Sequence, residues 1–226
     1  MTSLERFDPR TVAPHQVDAG LPPVPAERLT AFGLRRHFAD PPVWTPEIVR
    51  EAPLPDRKSA QAAVLVPLVV REGTLTLLLT VRGQHLSNHS GQIAFPGGRM
   101  DASDPDVVYT ALREAQEEVG LASRHVEVLG TLPIYVTGTA FVVTPVVALV
   151  QPGFEVQANP AEVADVFEVP LPYLMNPAHH RHHEALLEGQ ARRWLSMPWT
   201  DAQQRERYIW GATAGMLRNL YRFLLS

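Results

Sequence analysis

Three residues have the type and spacing to do chemistry: Glu114, Glu117 and Glu118. At about 100° per residue they share roughly one third of a helix circumference. Val108, Leu112, Ala115 and Val119 cluster on another face. A helix divided this way packs one side on a core and turns an acidic side away from it. Like charges at these spacings cost about 0.2–0.5 kcal/mol per pair. A divalent cation removes that cost, and Mg²⁺ prefers oxygen ligands, keeps several waters and shares substrate phosphates. Arg113, four residues before Glu117, is within pairing reach of it. Asp104-Pro105 predicts the helix start, with Asp as cap and Pro at the first position. Gly120 predicts its end.

An acidic face alone is an ordinary solvated surface. Here a Gly97-Gly98 loop precedes the helix, and its amides could approach phosphate. Before that loop, Arg82 closes a strand-like run.

The elements that must hold this helix follow from residue patterning. Ala62–Arg71 and Thr74–Arg82 are β-branched and apolar runs separated by a turn at Gly73, which predicts a hairpin. Val126–Val136, Phe141–Val150 and Trp194–Trp199 read as further strands, while Asp165–Leu174 is ambiguous. Ile209, Ala212, Met216, Leu220 and Leu224 stand at helical spacing, which predicts an amphipathic helix over Tyr208–Leu225. The expected fold is α/β, a mixed sheet with helices on its faces.

The chain has 226 residues, which fits one domain with an extension. Residues 1–57 hold ten of the 21 prolines and should be mostly irregular, with a short helix around Ala26–His37. This extension is expected either to wrap the domain of residues 58–226 or to act as an arm for a homodimer or over the substrate. The net charge of −4 argues against a non-specific nucleic-acid or membrane binder, so an anionic substrate must be met by local Arg, Lys or a metal. There are no cysteines, which removes disulfides, thiolate ligands and a Cys nucleophile. The N-terminus does not read as a signal peptide and no run reaches a membrane span, so a cytoplasmic location is expected.

Gly98, Asp104 and the run Arg113-Glu114-Ala115-Gln116-Glu117-Glu118-Val119-Gly120-Leu121 resemble the Nudix box. Its second half, R-E-U-x-E-E-x-G-U with U apolar, is matched in full. Asp104 stands where Glu is usual, one residue further from Arg113 than the common pattern. Leu78-Leu79-Thr80-Val81-Arg82 with Gly91-Gln92-Ile93-Ala94-Phe95-Pro96-Gly97-Gly98 resembles the additional motif of coenzyme A pyrophosphatases, with Gly83 and Ser87 as departures, Ser87 replacing an Arg.

The resemblance implies a Nudix-type α/β/α sandwich and hydrolysis of a diphosphate linkage with Mg²⁺ or Mn²⁺. For coenzyme A or its thioesters the products would be 3′,5′-ADP and (acyl-)4′-phosphopantetheine. Glu114 and Glu118 would be metal ligands and Glu117 a third ligand or a water-positioning base, with Arg113 supporting them. The metal would draw charge from phosphoryl oxygens and activate a water. Arg82, His89, Gly97, Gly98 and Arg99 are candidate substrate contacts, and Glu162 a candidate remote base. His179–His183 reads as an exposed loop rather than a metal site, and Trp194 and Trp199 as packing residues rather than adenine platforms. The alternatives are a Nudix hydrolase of ADP-ribose or another nucleoside diphosphate derivative, and a non-catalytic nucleotide-binding domain.

Overall fold

A computed structural model describes residues 7–53, 58–83, 91–187 and 189–226. In chain order they form β1 (Gln16–Val17), α1 (Ala31–Ala39), β2 (Ala60–Arg71), β3 (Thr74–Arg82), β4 (Ile93–Ala94), β5 (Gly97–Arg99) and α2 (Val107–Val119). There follow β6 (Val126–Thr131), β7 (Tyr135–Val136), β8 (Phe141–Val150), β9 (Val163–Pro170), α3 (Leu171–Leu174), β10 (Arg181–Leu187), β11 (Gln190–Thr200), β12 (Glu206–Trp210) and α4 (Gly211–Leu225).

Strands β2 and β3 make the predicted hairpin, closed by Gly73 at φ 77°. They lie within a mixed sheet ordered β4-β3-β2-β8-β6, with β5 on β2, β7 on β8 and β9 on β3. Among the described strands, only β2 and β8 pair in parallel, from Ala60 beside Phe141 to Val69 beside Val150. Side chains of β2 alternate between two cores, as a period of two requires. Ala63, Leu65 and Val69 meet Ala111, Ala115 and Val119 of α2. Ala62, Val66 and Leu68 face the opposite core, which holds Leu217, Leu220 and Leu224 of α4 and Leu34 of α1. Each fully buried Leu or Val among them stabilises the fold by about 1.5–3 kcal/mol. The result is an α/β/α sandwich.

A second, antiparallel sheet ordered β1-β10-β11-β12 departs from the single sheet expected. Its first long strand begins inside the histidine run that read as an exposed loop. His180 and His183 are buried because each ring finds two partners. His180 accepts from Arg218 Nη1 at 2.9 Å and donates Nε2–H to Leu174 O at 2.8 Å. His183 donates Nδ1–H to Val12 O at 2.9 Å and accepts from Ser196 Oγ at 2.8 Å. Burial holds His180 down to about 4, so the ring is neutral at pH 7. Trp194 stacks on His183, and Trp199 stacks on Phe167, both within the protein.

Other boundaries shift for local reasons. A 3₁₀ turn at Ala26–Leu29 precedes α1, which Thr30 caps through Gly33 N–H. The run 126–136 divides into β6 and β7, with Pro133 between them. Helix α4 begins at Gly211 because the residues before it extend β11's sheet as β12. The N-terminal segment is tied down by Arg218, whose Nη1 lies 3.0 Å from Asp18 Oδ2 and whose Nε lies 2.9 Å from Glu47 Oε2. Among the described residues, no helix is long and apolar enough to cross a membrane.

Candidate active site

Helix α2 starts at Val107, not at Asp104: Asp106 is the cap, its Oδ1 accepting from Tyr109 N–H at 2.8 Å. It ends as expected at Gly120, which adopts φ 72°. Ala111, Ala115 and Val119 press this helix onto the sheet, with Val108 and Leu112 half-buried beside them. That packing fixes where the glutamates point.

Glu118 is 4% exposed. Its Oε2 accepts from Gly97 N–H at 3.1 Å, and Arg82 Nη1 lies 3.8 Å from its Oε1. Burial pushes its carboxyl up to about 7, against the lowering effects of the Gly97 amide and Arg82; Glu114 and Glu162 add to the rise. Glu114, 14% exposed, is also raised, first by burial, with Glu117 and Glu162 contributing. Glu117 differs: it is 53% exposed and bonds Arg113 Nη1 at 3.1 Å. The structure therefore turns Glu114 and Glu118 inward towards Gly97–Gly98 and leaves Glu117 at the rim.

The two glycines serve the carboxylates. A Cβ on Gly98 would stand 2.6 Å from the Glu114 carboxylate, and one on Gly97 would stand 2.5 Å from Ala63 O. The Gly97 amide expected to meet phosphate is spent on Glu118. Strand β5 pairs with β2, Gly98 opposite Ala63, so the loop is held as sheet.

Arg113 reaches Glu117 as predicted, but its stronger partner is Asp104. Nε donates to Oδ1 at 3.1 Å and Nη2 to Oδ2 at 2.9 Å. Asp104 also accepts from Thr110 Oγ1–H at 2.9 Å and Asp101 N–H at 3.0 Å. The Arg113 guanidinium holds the Asp104 carboxyl down to about 2. Arg113 Nη2 further donates to Arg99 O at 3.3 Å, and Nη1 lies 3.0 Å from Glu114 Oε1. One guanidinium thus ties the segment between β5 and α2 to the acidic face.

Glu162 is brought in by main-chain bonds. Asn159 N–H donates to Glu118 O at 2.9 Å, Gln157 N–H to Val119 O at 3.0 Å, and Gly83 N–H to Glu162 O at 2.7 Å. Its charge is felt at both Glu114 and Glu118. Arg82 is beside Glu118, and among the described residues its buried Nε has no hydrogen-bond partner. Arg99 is exposed. His89 and Ser87 lie outside the described residues.

Among the described residues, no three His, Asp or Glu side chains stand close enough to enclose an ion between them. The donor set is two inward carboxylates whose charges are opposed by burial and by neighbouring carboxylates. Hard oxygen donors that few in number fit a cation such as Mg²⁺, which takes its other ligands from water and phosphate.

An α/β/α sandwich with an acidic helix packed beneath a glycine strand defines the class of this site. The NUDIX domain family profile matches residues 59–190. The chain is 44% identical over 161 residues to the uncharacterized Nudix hydrolase NudL of Citrobacter koseri, covering 71% of this chain and 80% of that protein. It is 43% identical over 176 residues to the NudL protein of Shigella flexneri, covering 77% of this chain and 86% of that one. Among solved structures, a Caenorhabditis elegans Ap4A hydrolase binary complex aligns with a TM-score of 0.43 and 22% identity, over 53% of this chain and 85% of that one. The chain belongs to the NUDIX family and is a Nudix hydrolase.

Proposed function

We propose that this chain is a divalent-metal-dependent pyrophosphatase of nucleoside diphosphate derivatives, with coenzyme A or its thioesters as substrate. The observation that carries the reading is the convergence of Glu114 and Glu118 on Gly97–Gly98 beside Arg82. These glycines and Arg82 belong to the same Leu78–Gly98 segment that resembles the coenzyme A motif, which supports the narrower substrate.

In this mechanism Glu114 and Glu118 would hold Mg²⁺ or Mn²⁺, with Glu117 as a third ligand or a water-positioning group. The bound cation would withdraw charge from the phosphoryl oxygens and make a water nucleophilic. Arg82 sets a positive charge beside the diphosphate. Glu162 takes the proton from the attacking water, a role typically worth about 10²–10⁴ in rate. The water oxygen bonds to one phosphorus as the bridging P–O bond breaks, and two phosphate monoesters leave. Arg113 and Asp104 keep Glu114 and Glu117 in position throughout. Arg99 and the glycine strand contact the substrate flanks.

The test is metal-dependent hydrolysis of coenzyme A against ADP-ribose with purified full-length protein. Release of 3′,5′-ADP and 4′-phosphopantetheine, faster than ADP-ribose cleavage, is expected. A preference for ADP-ribose would replace coenzyme A with the second substrate class. No product from any diphosphate ester would leave a nucleotide-binding domain.

A further inference from the structure

Two arginines stand beside the carboxylates of α2, and they are held very differently. Arg113 makes two hydrogen bonds to Asp104 and a third to Arg99 O. Forked, charge-assisted bonds of this kind are the strong ones, so Arg113 is fixed. Arg82 meets Glu118 loosely. Its Nη1 lies 3.8 Å from Glu118 Oε1, an ion pair too long for a hydrogen bond. Its side chain is 29% exposed, so water reaches it.

The backbone of Arg82, in contrast, is pinned. Its N–H donates to Gln92 O at 2.9 Å and its O accepts from Gly91 N–H at 3.2 Å. Leu78, on the same strand, packs into the core beneath α2, and a period of two puts Arg82 on that same face. Val81 pairs with Asp165 but Arg82 with Val163, which leaves Ala164 as the extra residue of a β-bulge. Bulges re-aim the side chains beside them. The guanidinium is therefore the moving part, on a fixed root and on the carboxylate side of the sheet.

The two oxygens of Glu118 have separate duties. Oε2 accepts from Gly97 N–H at 3.1 Å, which leaves Oε1, the oxygen Arg82 faces, for a cation. A guanidinium and a divalent ion at one buried oxygen repel each other with little screening. The ion with two charges and no alternative partner prevails over a side chain that can swing away. A freed guanidinium fork matches phosphate oxygens two at a time. Phosphate would arrive at the same place, because Mg²⁺ is bound through one or two carboxylates together with substrate phosphates.

We infer that Arg82 exchanges partners: it neutralises Glu118 until a divalent cation takes over that role, and its guanidinium then passes to the diphosphate. Metal and substrate are thereby coupled through one side chain, and the coupling is reciprocal. The inference takes the metal and the diphosphate from the proposed function, but both affinities are measurable without turnover.

Calorimetry on full-length wild type and Arg82→Gln titrates Mn²⁺ alone, then the non-hydrolysable α,β-methylene adenosine diphosphate in chelator and in saturating Mn²⁺. Arg82→Gln should bind Mn²⁺ more tightly than wild type, because a competing cation is gone. Its loss of affinity for the diphosphate probe should be at least about tenfold greater in Mn²⁺ than in chelator. Arg82→Lys, which keeps the charge but not the fork, should return Mn²⁺ affinity to the wild-type value and restore only part of the probe affinity. An equal loss in the two conditions makes Arg82 a fixed phosphate contact and overturns the exchange. So does a Mn²⁺ affinity that Arg82→Gln leaves unchanged or lowers, or a wild type that gains no affinity for the probe from Mn²⁺. Partner exchange in a protein that cleaves no diphosphate ester would keep the switch and reject the catalytic reading. Coenzyme A hydrolysis with equal losses would do the reverse.

Discussion

The carboxylate of Glu114 occupies the space where residue 98 would carry a Cβ, its oxygens 2.6 and 2.7 Å from that point. The contact is with the far end of a flexible side chain, so an added methyl displaces Glu114 rather than the strand. Gly98→Ala should therefore lower kcat about hundredfold, the typical cost of misplacing a reacting group by 1 Å. The melting temperature should barely move. Wild-type turnover in this variant would show that the proximity has no catalytic consequence.

Asp104 and Arg113 give a pH signature. The folded-state carboxyl sits at about 2, against an ordinary 3.8. A depressed carboxyl contributes stability that is complete above its unfolded value and vanishes as pH falls through the folded one. Asp104→Asn should accordingly lower the urea midpoint near neutrality. The gap to wild type should close between about pH 4 and about pH 2. A gap that stays constant across that range would mean the loss is steric.

How far these relationships could be read beforehand depends on their range. The acidic face of α2, its Gly120 stop and the β2–β3 hairpin are local patterns, and the side-chain period reports them directly. The inward turn of Glu118 was not legible, because it depends on an amide in β5 that the sheet brings alongside. Glu162 could be named as a candidate, but its approach depends on Asn159 docking on the C-terminal end of α2. The second sheet was missed for a similar reason. His180 and His183 look solvent-loving in one dimension, and only partners from α3, α4, β11 and the N-terminal segment make them core residues.

Arg218 joins the N-terminal segment to α4, and both it and Asp18 are at most 5% exposed. Arg218→Ala would take the arginine from the buried Asp18 carboxylate, leaving it only His182 and Gln16, and leave His180 Nδ1 without its donor. Removing one partner of a buried pair typically costs about 3–5 kcal/mol. For a chain this long that corresponds to a drop of about 10 °C in melting temperature. Thermal unfolding followed by circular dichroism reads it, and a shift of only a degree or two would reduce this network to a surface contact.

Glu118 offers the sharpest separation of chemistry from folding. Its carboxyl is raised to about 7 from an ordinary 4.5, so between those values the folded chain binds a proton that the unfolded chain has lost. Stability in the absence of divalent cations should therefore fall as pH climbs through that window. Glu118→Gln removes the titrating group while keeping an acceptor for Gly97 N–H. In chelator, the variant should match wild type at about pH 5 and exceed it at about pH 8. Turnover should vanish at every pH, because a neutral amide is a poor donor for a hard cation. Near-normal hydrolysis by Glu118→Gln would refute the ligand assignment. An unchanged stability difference across the window would instead refute the buried, proton-holding state of Glu118.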